Sequence, residues 1–479
     1  MAALIVLLAL ACLASFGFAY YLFTTRWDTT KPRSLLHLAD ESAQVVPIDS
    51  FRHSRRQYHS TERFLSYLPH SGLHNQRIAL ENAIVLGMLT NRTVLVPPIR
   101  LGRKPLRYVN FDSLHHELII SGKIGLRHCS RIGSKFLPPE CFDYFDYTHV
   151  SSAWLFNLTT VEESLPLAYL DDLSNFSMRS KLDLSQSDIF TLRDLTPYHY
   201  RFVDTTHNSS SKFVESIYIS DLARYPHRLL EIGTLFGSSR LRLRDKTNKT
   251  LRTRVRQCMD FSSPPLVNAA NTISKALGHH FLGAHVRLKD GSFEANAQLT
   301  LQQVWWKLVC DHLQFNVSEA SHLAQSLQVF SPPTLRAPLQ NSRYHNETRP
   351  HLQALALSTF SMRCRGRRHT SAHLARLNQP LFISTDAKNP ASDPLFSGFL
   401  RTFPCAFFLS DFDIYLKELD HLWNGYDGTL LRSFLIPLLD ASVVGRAWAV
   451  AGTDGSTFSQ FIQDVLWTQR HGLGIVERG

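Results

Sequence analysis

Hydrophobic residues are unevenly distributed along the chain, and the longest apolar segment lies at its beginning. Residues 2–23 contain no charged side chain over 22 positions. As a helix this segment would be roughly 33 Å long, which matches the hydrocarbon layer of a bilayer. We expect a signal-anchor transmembrane helix over residues 1–23, with the rest of the chain in the lumen. The basic residues follow the segment, which favours the opposite orientation, and Gly17 and Ala19 would also suit signal-peptide cleavage.

The pattern changes twice after this segment. Residues 24–60 are polar and lack apolar periodicity, so they predict a stem. Asn75 to Leu89 is rich in helix formers and apolar on nearly every face, which predicts a buried helix. Thr93 to Val96 is β-branched and predicts a strand that ends at Pro97. A buried helix followed by a short apolar strand indicates a doubly wound α/β layer.

Three later segments share one pattern, a short apolar strand that ends in polar residues and a turn. They are Phe281–Arg287, Leu381–Asp386 and Trp448–Thr453, and the third is followed by a predicted helix start near Ser456. In open parallel sheets, ligands bind beyond the carboxyl ends of the strands. The three polar ends therefore predict one shared crevice.

Composition places the chain among globular proteins. It has 479 residues, of which 44% are hydrophobic and 19% charged, so global disorder and collagen-like architecture are excluded. The length suggests two or three domains. The net charge of +11 suits nucleic acid, a membrane surface or a phosphorylated small molecule.

Two basic stretches, Arg240–Arg256 and Arg363–His369, contribute to this charge. No zinc-finger, RNA-recognition or helix-turn-helix pattern accompanies them, so we expect no nucleic-acid partner. Their expected role is solvated surface or loop, with contact to an acidic partner as the alternative. The chain also lacks the phosphate-loop, serine-hydrolase and zinc-protease motifs.

The cysteines and glycosylation sequons favour an oxidising lumen. Besides Cys12, six cysteines occur without Cys-x-x-Cys spacing, which predicts up to three disulfides, with buried thiols as the alternative. Cys129 and Cys141 form the expected pair because they close a short loop. Seven sequons add support, at Asn91, Asn157, Asn175, Asn208, Asn248, Asn316 and Asn346.

Several strand-end residues are candidates for chemistry. Arg287 could bind a phosphate with two parallel hydrogen bonds, or it could pair with Asp290 in a structural ion pair. Gly452–Phe458 offers hydroxyls and amides at a helix start, which suits an anion but also an ordinary helix cap. The Asp411-x-Asp413 pair has the spacing of metal-dependent glycosyltransferases, although such pairs are common by chance.

Four of these segments resemble, in the same order, the motifs of the GDP-fucose protein O-fucosyltransferase family, particularly its fungal members. The segments are Ser71–Arg77 with Arg92–Pro98, His285–Arg287, Ser384–Asp386 and Gly452–Ser459. The resemblance covers roughly residues 65–465.

The resemblance implies an α/β GT-B architecture, in which two Rossmann-like domains face a central cleft. Residues 61–272 would form the acceptor-side domain and residues 273–479 the sugar-nucleotide domain. It further implies an inverting transfer of fucose from GDP-fucose to a hydroxyl of a protein or glycan acceptor, with no metal or other cofactor. The expected location is the Golgi or endoplasmic-reticulum membrane, with the catalytic part in the lumen.

The resemblance also assigns roles to individual residues. Arg287 would hold the β-phosphate and stabilise the departing GDP, and His285 would line the same site. Asn75 would lie near the acceptor and the reacting carbon. The other matching residues are Ser456, Thr457 and Phe458 near the phosphates, and Asp386 and Asp440 near the guanosine.

The sequence departs from the family at two points. Arg287-Leu-Lys-Asp290 replaces a run that often carries Gly at the second position after Arg, and His74 stands where relatives carry Gly or Asn. His74 is a candidate general base, with proton transfer to the departing phosphate as the alternative. Two other functions remain open, a related GT-B transferase that uses another sugar nucleotide and a non-catalytic lumenal protein that binds sugar nucleotides or glycans.

Overall fold

The computed structural model describes most of the chain after residue 57. The described residues are 44–46, 58–131, 138–170, 182–205, 212–237, 239–278, 280–289, 291–330 and 360–474. The predicted transmembrane segment 1–23 and nearly all of the predicted stem lie outside them. Among the described helices, none is long and apolar enough to cross a membrane.

Strands and helices are interspersed along the described chain. The described strands are β1 (Gln44–Val46), β2 (Phe64–Tyr67), β3 (Thr93–Val96), β4 (Ile99–Gly102), β5 (Tyr147–Val150), β6 (Leu167–Tyr169), β7 (Ile189–Leu192), β8 (Tyr200–Val203), β9 (Glu215–Tyr218), β10 (Leu229–Ile232), β11 (Leu241–Arg242), β12 (Leu282–Val286), β13 (Leu381–Thr385), β14 (Ala406–Phe407), β15 (Leu422–Asn424) and β16 (Ala449–Gly452). The described α-helices are α1 (Leu73–Thr90), α2 (Phe111–Ile120), α3 (Ser152–Leu155), α4 (Thr159–Glu162), α5 (Ile219–Arg224), α6 (Lys246–Gln257), α7 (Pro264–Ala276), α8 (Ser292–Ala295), α9 (Ala297–Trp306), α10 (Val317–Ser326), α11 (Ser397–Thr402), α12 (Lys417–Asp420), α13 (Arg432–Val444), α14 (Thr457–Phe461) and α15 (Thr468–Arg470).

The first half of the described chain is organised around a parallel sheet with the strand order β6-β3-β2-β10-β7. Helix α1 packs on it and is capped by Asn91, whose left-handed conformation lets the N–H of Arg92 also donate to the carbonyl of Gly87. A Cβ at Gly87 would lie 2.4 Å from Val94, so glycine permits the close approach of α1 to β3. The predicted buried helix and the strand Thr93–Val96 are confirmed.

The second half contains a parallel sheet with the order β14-β13-β12-β16. Its three longer strands correspond to the three predicted segments, and they are direct neighbours. Side chains alternate along β12: Leu282, Ala284 and Val286 join one hydrophobic cluster, and His285 lies on the opposite face. The predicted strands and the α/β class are therefore confirmed.

One hydrophobic cluster spans both halves of the described chain. It includes Leu65 of the first sheet, Phe382 of the second and Leu435 of α13. The predicted domain boundary at residues 272/273 falls inside α7, which packs against α13. The described residues from Val45 onward belong to one compact unit. The two-domain GT-B division stays a prediction.

Two disulfides join described cysteines. Cys129 pairs with Cys141, as predicted, and Cys364 pairs with Cys405. Cys258 and Cys310 are free thiols, so the described cysteines form two disulfides and not the maximum of three.

Candidate functional site

The carboxyl ends of β12, β13 and β16 bring the predicted strand-end residues together. Strand β12 lies between the other two, and His285 is in register with Ser384 of β13 and Gly452 of β16. All three strands run in parallel, so their polar ends emerge at the same edge. The shared location predicted from the sequence is confirmed for these three strand ends.

His285 connects β12 with the loop after β16. Its Nδ1 lies 2.7 Å from the Oγ of Ser459, and its ring packs edge-on against Phe458. The side chain is buried, and burial together with the nearby positive charge of Arg287 lowers the pKa of His285 to about 3. His285 is therefore neutral at physiological pH and suited to hydrogen bonding.

Arg287 occupies the turn beyond β12. Its backbone N–H donates to the Thr453 Oγ1 over 3.0 Å, which ties the turn to the β16 loop. Its guanidinium lies 3.3 Å from a carboxylate oxygen of Asp386 and is about one-third exposed. The guanidinium is thus oriented by a carboxylate and open to solvent. Asp290, the alternative ion-pair partner, lies outside the described residues.

The carboxylate of Asp386 stabilises the turn after β12. Its carboxylate accepts hydrogen bonds from the backbone N–H groups of Leu288 and Lys289, at 2.8 and 3.1 Å. These contacts hold the turn that carries Arg287. The predicted role near guanosine stays a prediction, and the contacts found are with the chain itself.

Asp440 lies on α13 behind the end of β13. It is buried, and burial raises its pKa well above the usual range, while a hydrogen bond with Ser384 opposes that shift. Its Oδ1 has no hydrogen-bond partner among the described residues. Burial therefore disfavours the charged form of the Asp440 carboxyl group.

The three side chains of the segment Ser456–Phe458 make different contacts. The Ser456 hydroxyl accepts from the N–H of Ser459 as the N-cap of α14, which is the ordinary cap that the sequence left as an alternative. Phe458 packs against His285. Thr457 is exposed and faces a cavity.

This cavity, of about 580 Å³, lies between α1, α6 and α14. His74 and Thr457 are the predicted site residues that line it. The other predicted site residues are not among its described lining: Asn75, His285, Arg287, Asp386, Asp440, Ser456 and Phe458. The cluster at the β12 end and the cavity are therefore adjacent regions that meet at the start of α14, where Thr457 lies.

The imidazole ring of His74 lines the cavity and is held in place by two neighbouring side chains. Its Nδ1 accepts a hydrogen bond from the Nε of Arg77 over 3.3 Å, and its ring packs against Phe461. Burial, and then the charges of Arg77 and Arg256, hold the pKa of His74 well below its usual range. In the neutral ring the proton consequently sits on Nε2. Asn75, its neighbour, is half-buried.

A strongly cationic lining was not anticipated from the sequence. Among the described lining residues, six are cationic and two are carboxylates: Arg77, Arg107, Lys212, Arg240, Arg252 and Arg256, against Glu81 and Asp464. Three of the arginines come from the basic stretch 240–256, and Arg240 and Arg252 are buried. The expectation of solvated surface was wrong for these residues. The i, i+4 spacing of Arg252 and Arg256, which places both on one helix face, was the available signal.

Glu81 holds two of these arginines in place. Its carboxylate lies 3.0 Å from a guanidinium nitrogen of Arg77 and 2.7 Å from one of Arg256. Burial alone would raise the pKa of Glu81, but the charges of Arg256 and Arg77 outweigh it and lower the pKa to about 2. The carboxylate stays ionised and fixes α1 against α6.

The carboxylates considered for a metal site each contact an arginine. Asp411 pairs with Arg365, and Asp413 lies 3.4 Å from Arg432. Within the described residues, the grouping of ligand atoms that is compact enough for a metal is His128 with Cys129 and Cys141, and those two sulfurs form a disulfide. In the second basic stretch, Arg363–His369, the side chains of Arg363, Arg367 and Arg368 are exposed, which agrees with the predicted solvated surface.

Comparison with known proteins adds little beyond these observations. No family model and no curated protein sequence matches the chain. Solved structures similar to it include POFUT1 in complex with GDP, which is 12% identical over 87% of this chain and 96% of that chain, with a TM-score of 0.36. POFUT1 in complex with GDP-fucose is 11% identical over 83% of this chain and 99% of that chain, with a TM-score of 0.33. At such low TM-scores, neither the function nor the fold family of this chain follows from the likeness.

Proposed function

We propose that the protein is an inverting glycosyltransferase that moves fucose from GDP-fucose to a hydroxyl of an acceptor in the lumen of the Golgi or endoplasmic reticulum. It would be anchored by residues 1–23 and would work without a metal. One observation carries the proposal: His285 and Arg287 contact Ser459 and Thr453, which lie 174 and 166 residues further along the chain. Two motifs that resemble donor-binding segments of the fucosyltransferase family thereby form one cluster.

Arg287 would carry the main electrostatic role. Breaking a bond between a sugar and a phosphate places negative charge on the leaving diphosphate, and fixed donors aimed at that charge lower the barrier. A guanidinium suits this task because it stays charged and can form two parallel hydrogen bonds. Asp386 and the Thr453 hydroxyl hold Arg287 in place, so little reorganisation is needed during the reaction.

The acceptor would bind in the adjacent cavity, where His74 and Thr457 face the same space. Neutral His74 already uses its Nδ1 lone pair to accept from Arg77, which leaves Nε2–H as a hydrogen-bond donor. We therefore assign His74 to orienting the acceptor oxygen. The acceptor proton would then pass to the departing phosphate.

Ligand-induced stabilisation tests the proposal. The full-length protein would be heated with GDP-fucose, GDP-mannose, UDP-glucose or GDP, each with and without EDTA. A ligand that binds the native state raises the melting temperature. We expect GDP-fucose and GDP to stabilise the protein, with no effect of EDTA and no effect of UDP-glucose.

The matched variants are Arg287→Ala and Lys289→Ala. Lys289 is exposed two residues further along the same turn, so its loss controls for a general change in charge. GDP-fucose should stabilise Lys289→Ala as it does the wild type, and Arg287→Ala much less. Equal stabilisation of both variants, or none of the wild type by any GDP ligand, would refute the donor site.

A further inference from the structure

The cavity beside α1 carries more positive charge than its own carboxylates balance. Of the two carboxylates in the described lining, Glu81 is shared between Arg77 and Arg256. Arg107 and Lys212 stand at exposed positions of the lining, and the Lys212 ammonium lies over the ring of Tyr198. The lining thus has an excess of cations directed at a space large enough for a small ligand.

This charge favours an anionic ligand. Guanidinium groups bind carboxylate, sulfate and phosphate oxygens in pairs, and such hydrogen bonds are about twice as strong as neutral ones. Buried cations gain further from the low dielectric around them. Arg252 is almost fully buried beside the cavity, so its charge acts there with little screening by solvent. The charge of buried Arg240 is offset by Asp194, 3.8 Å away.

The shape favours a compact ligand over an extended peptide. The described lining residues belong to helices and loops, and none lies in a strand, so a peptide would find no strand edge to extend. Aromatic side chains of Tyr108, Tyr198, Phe213 and Phe236 supply flat apolar surfaces around the space. A ring-shaped molecule with a charged substituent fits this combination.

We propose that the cavity binds the acceptor as an anionic saccharide, a sugar unit that carries a carboxylate, sulfate or phosphate. The acceptor assignment rests on the proposed function. Thr457 faces the cavity from the start of α14, four residues after Thr453, which contacts Arg287, so a saccharide hydroxyl near Thr457 would lie next to the proposed donor site. Arg107 and Lys212 recognise the charged substituent at the exposed side of the cavity.

Titration calorimetry of the full-length protein tests this, with lactose, lactose 3′-sulfate, 3′-sialyllactose and a hexaglutamate peptide as probes. One well-placed charge-assisted contact predicts at least about tenfold tighter binding of an anionic lactose than of lactose itself. The double variant Arg107→Gln, Lys212→Gln should remove that preference. Arg103→Gln, an exposed arginine of the same loop outside the lining, should keep it. Thermal denaturation of each variant checks that it is folded.

Each outcome bears on the proposal. Equal binding of neutral and anionic lactose, no saccharide binding, a preference that survives in the double variant, or tighter binding of the peptide would each overturn it. GDP-fucose binding is measured on the same samples and depends on Arg287, which the double variant retains. Failure of the saccharides with intact GDP-fucose binding refutes the cavity assignment alone. Binding of anionic lactose without GDP-fucose binding refutes the proposed function and leaves an anionic-saccharide site.

Discussion

The Nδ1 of His285 and the Oγ of Ser459 lie 2.7 Å apart although 174 residues separate them in the chain. The same Oγ accepts a hydrogen bond from the N–H of Thr453, and Ser459 is fully buried. One hydroxyl therefore joins the end of β12 to the loop after β16. The geometry of the proposed donor site depends on this contact.

Removing this hydroxyl should weaken the fold. Ser459→Ala leaves the His285 ring without its buried partner, whereas the Thr453 N–H keeps the His285 carbonyl as an acceptor. An unsatisfied buried polar group costs about 1 to 3 kcal/mol. Urea denaturation would measure the loss. Ser220→Ala, at an exposed position of α5, serves as the control and should change little. Equal stability of both variants would show that the contact contributes nothing.

Arg287 should dominate the transfer rate if the proposed function holds. Losses on removing one preorganised electrostatic donor are about 10² to 10³ in rate, so Arg287→Ala should lower fucose transfer by about 10² or more. The measurement is GDP release in the presence of GDP-fucose and an acceptor. Lys289→Ala should keep the wild-type rate, and a purified Arg287→Ala protein with that same rate would contradict the role.

The buried ion pair between Lys123 and Asp427 should be sensitive to loss of one partner. The two side chains are fully buried, and the Lys123 Nζ lies 2.7 Å from the carboxylate. Burial lowers the pKa of Lys123, and the charge of Asp427 partly restores it. Lys123→Met leaves Asp427 uncompensated, which should cost about 3 to 5 kcal/mol of unfolding free energy.

The exposed pair between Lys104 and Asp143 provides the comparison. Lys104→Met should leave the urea midpoint nearly unchanged, because solvent screens exposed pairs. Similar midpoints for Lys123→Met and Lys104→Met would contradict the importance of burial.

His149 should make stability depend on pH in a defined direction. Burial, and then the charges of Arg100 and Lys123, lower its pKa to about 3 in the folded protein. The unfolded chain binds this proton near pH 6.5, so the contribution of His149 is complete above that pH and is lost as the pH falls towards 3. Asp440, whose folded pKa is raised, acts in the opposite direction.

A difference measurement isolates the effect of His149. Between about pH 7 and pH 5, wild type should lose about 2 kcal/mol more unfolding free energy than His149→Gln. Urea denaturation at the two pH values gives both numbers. Parallel pH profiles for the two proteins would show that His149 does not titrate as proposed.

The six described cysteines should fall into two classes under alkylation. In the denatured, unreduced protein, Cys258 and Cys310 should react, whereas Cys129, Cys141, Cys364 and Cys405 should react only after reduction. Mass spectrometry of the labelled peptides distinguishes the classes. Protection of Cys258 and Cys310 would indicate a third disulfide.

Local sequence patterns located the main helices and strands, because the formation of these elements depends on residues close together in the chain. The apolar faces of residues 75–89 and the β-branched run at Thr93–Val96 predicted a helix and a strand that the structure contains. The polar residues at the ends of the predicted strands also indicated that His285 and Arg287 lie beside the loop after β16, because parallel strands align their carboxyl ends.

The cationic cavity could not be predicted in the same way. Arg240, Arg252 and Arg256 resemble a solvated charge run in the sequence. Packing of α6 against α1 turns Arg252 and Arg256 inward, and Arg240, which precedes β11, is held by the buried Asp194. The position of Asp386 shows the same limit, since its backbone partners lie 97 and 98 residues earlier in the chain.

The sequence alone predicted the α/β class, the parallel strands with polar ends and the Cys129–Cys141 pair. These depend on periodicity, on the direction of strands and on short loop closure, which act over a few residues. Only the tertiary structure decided that Arg287 pairs with Asp386, that His74 accepts from Arg77 and that six cations surround one cavity. Charge and hydrogen bonding depend on distance in space and on burial, and both arise only when distant segments pack together.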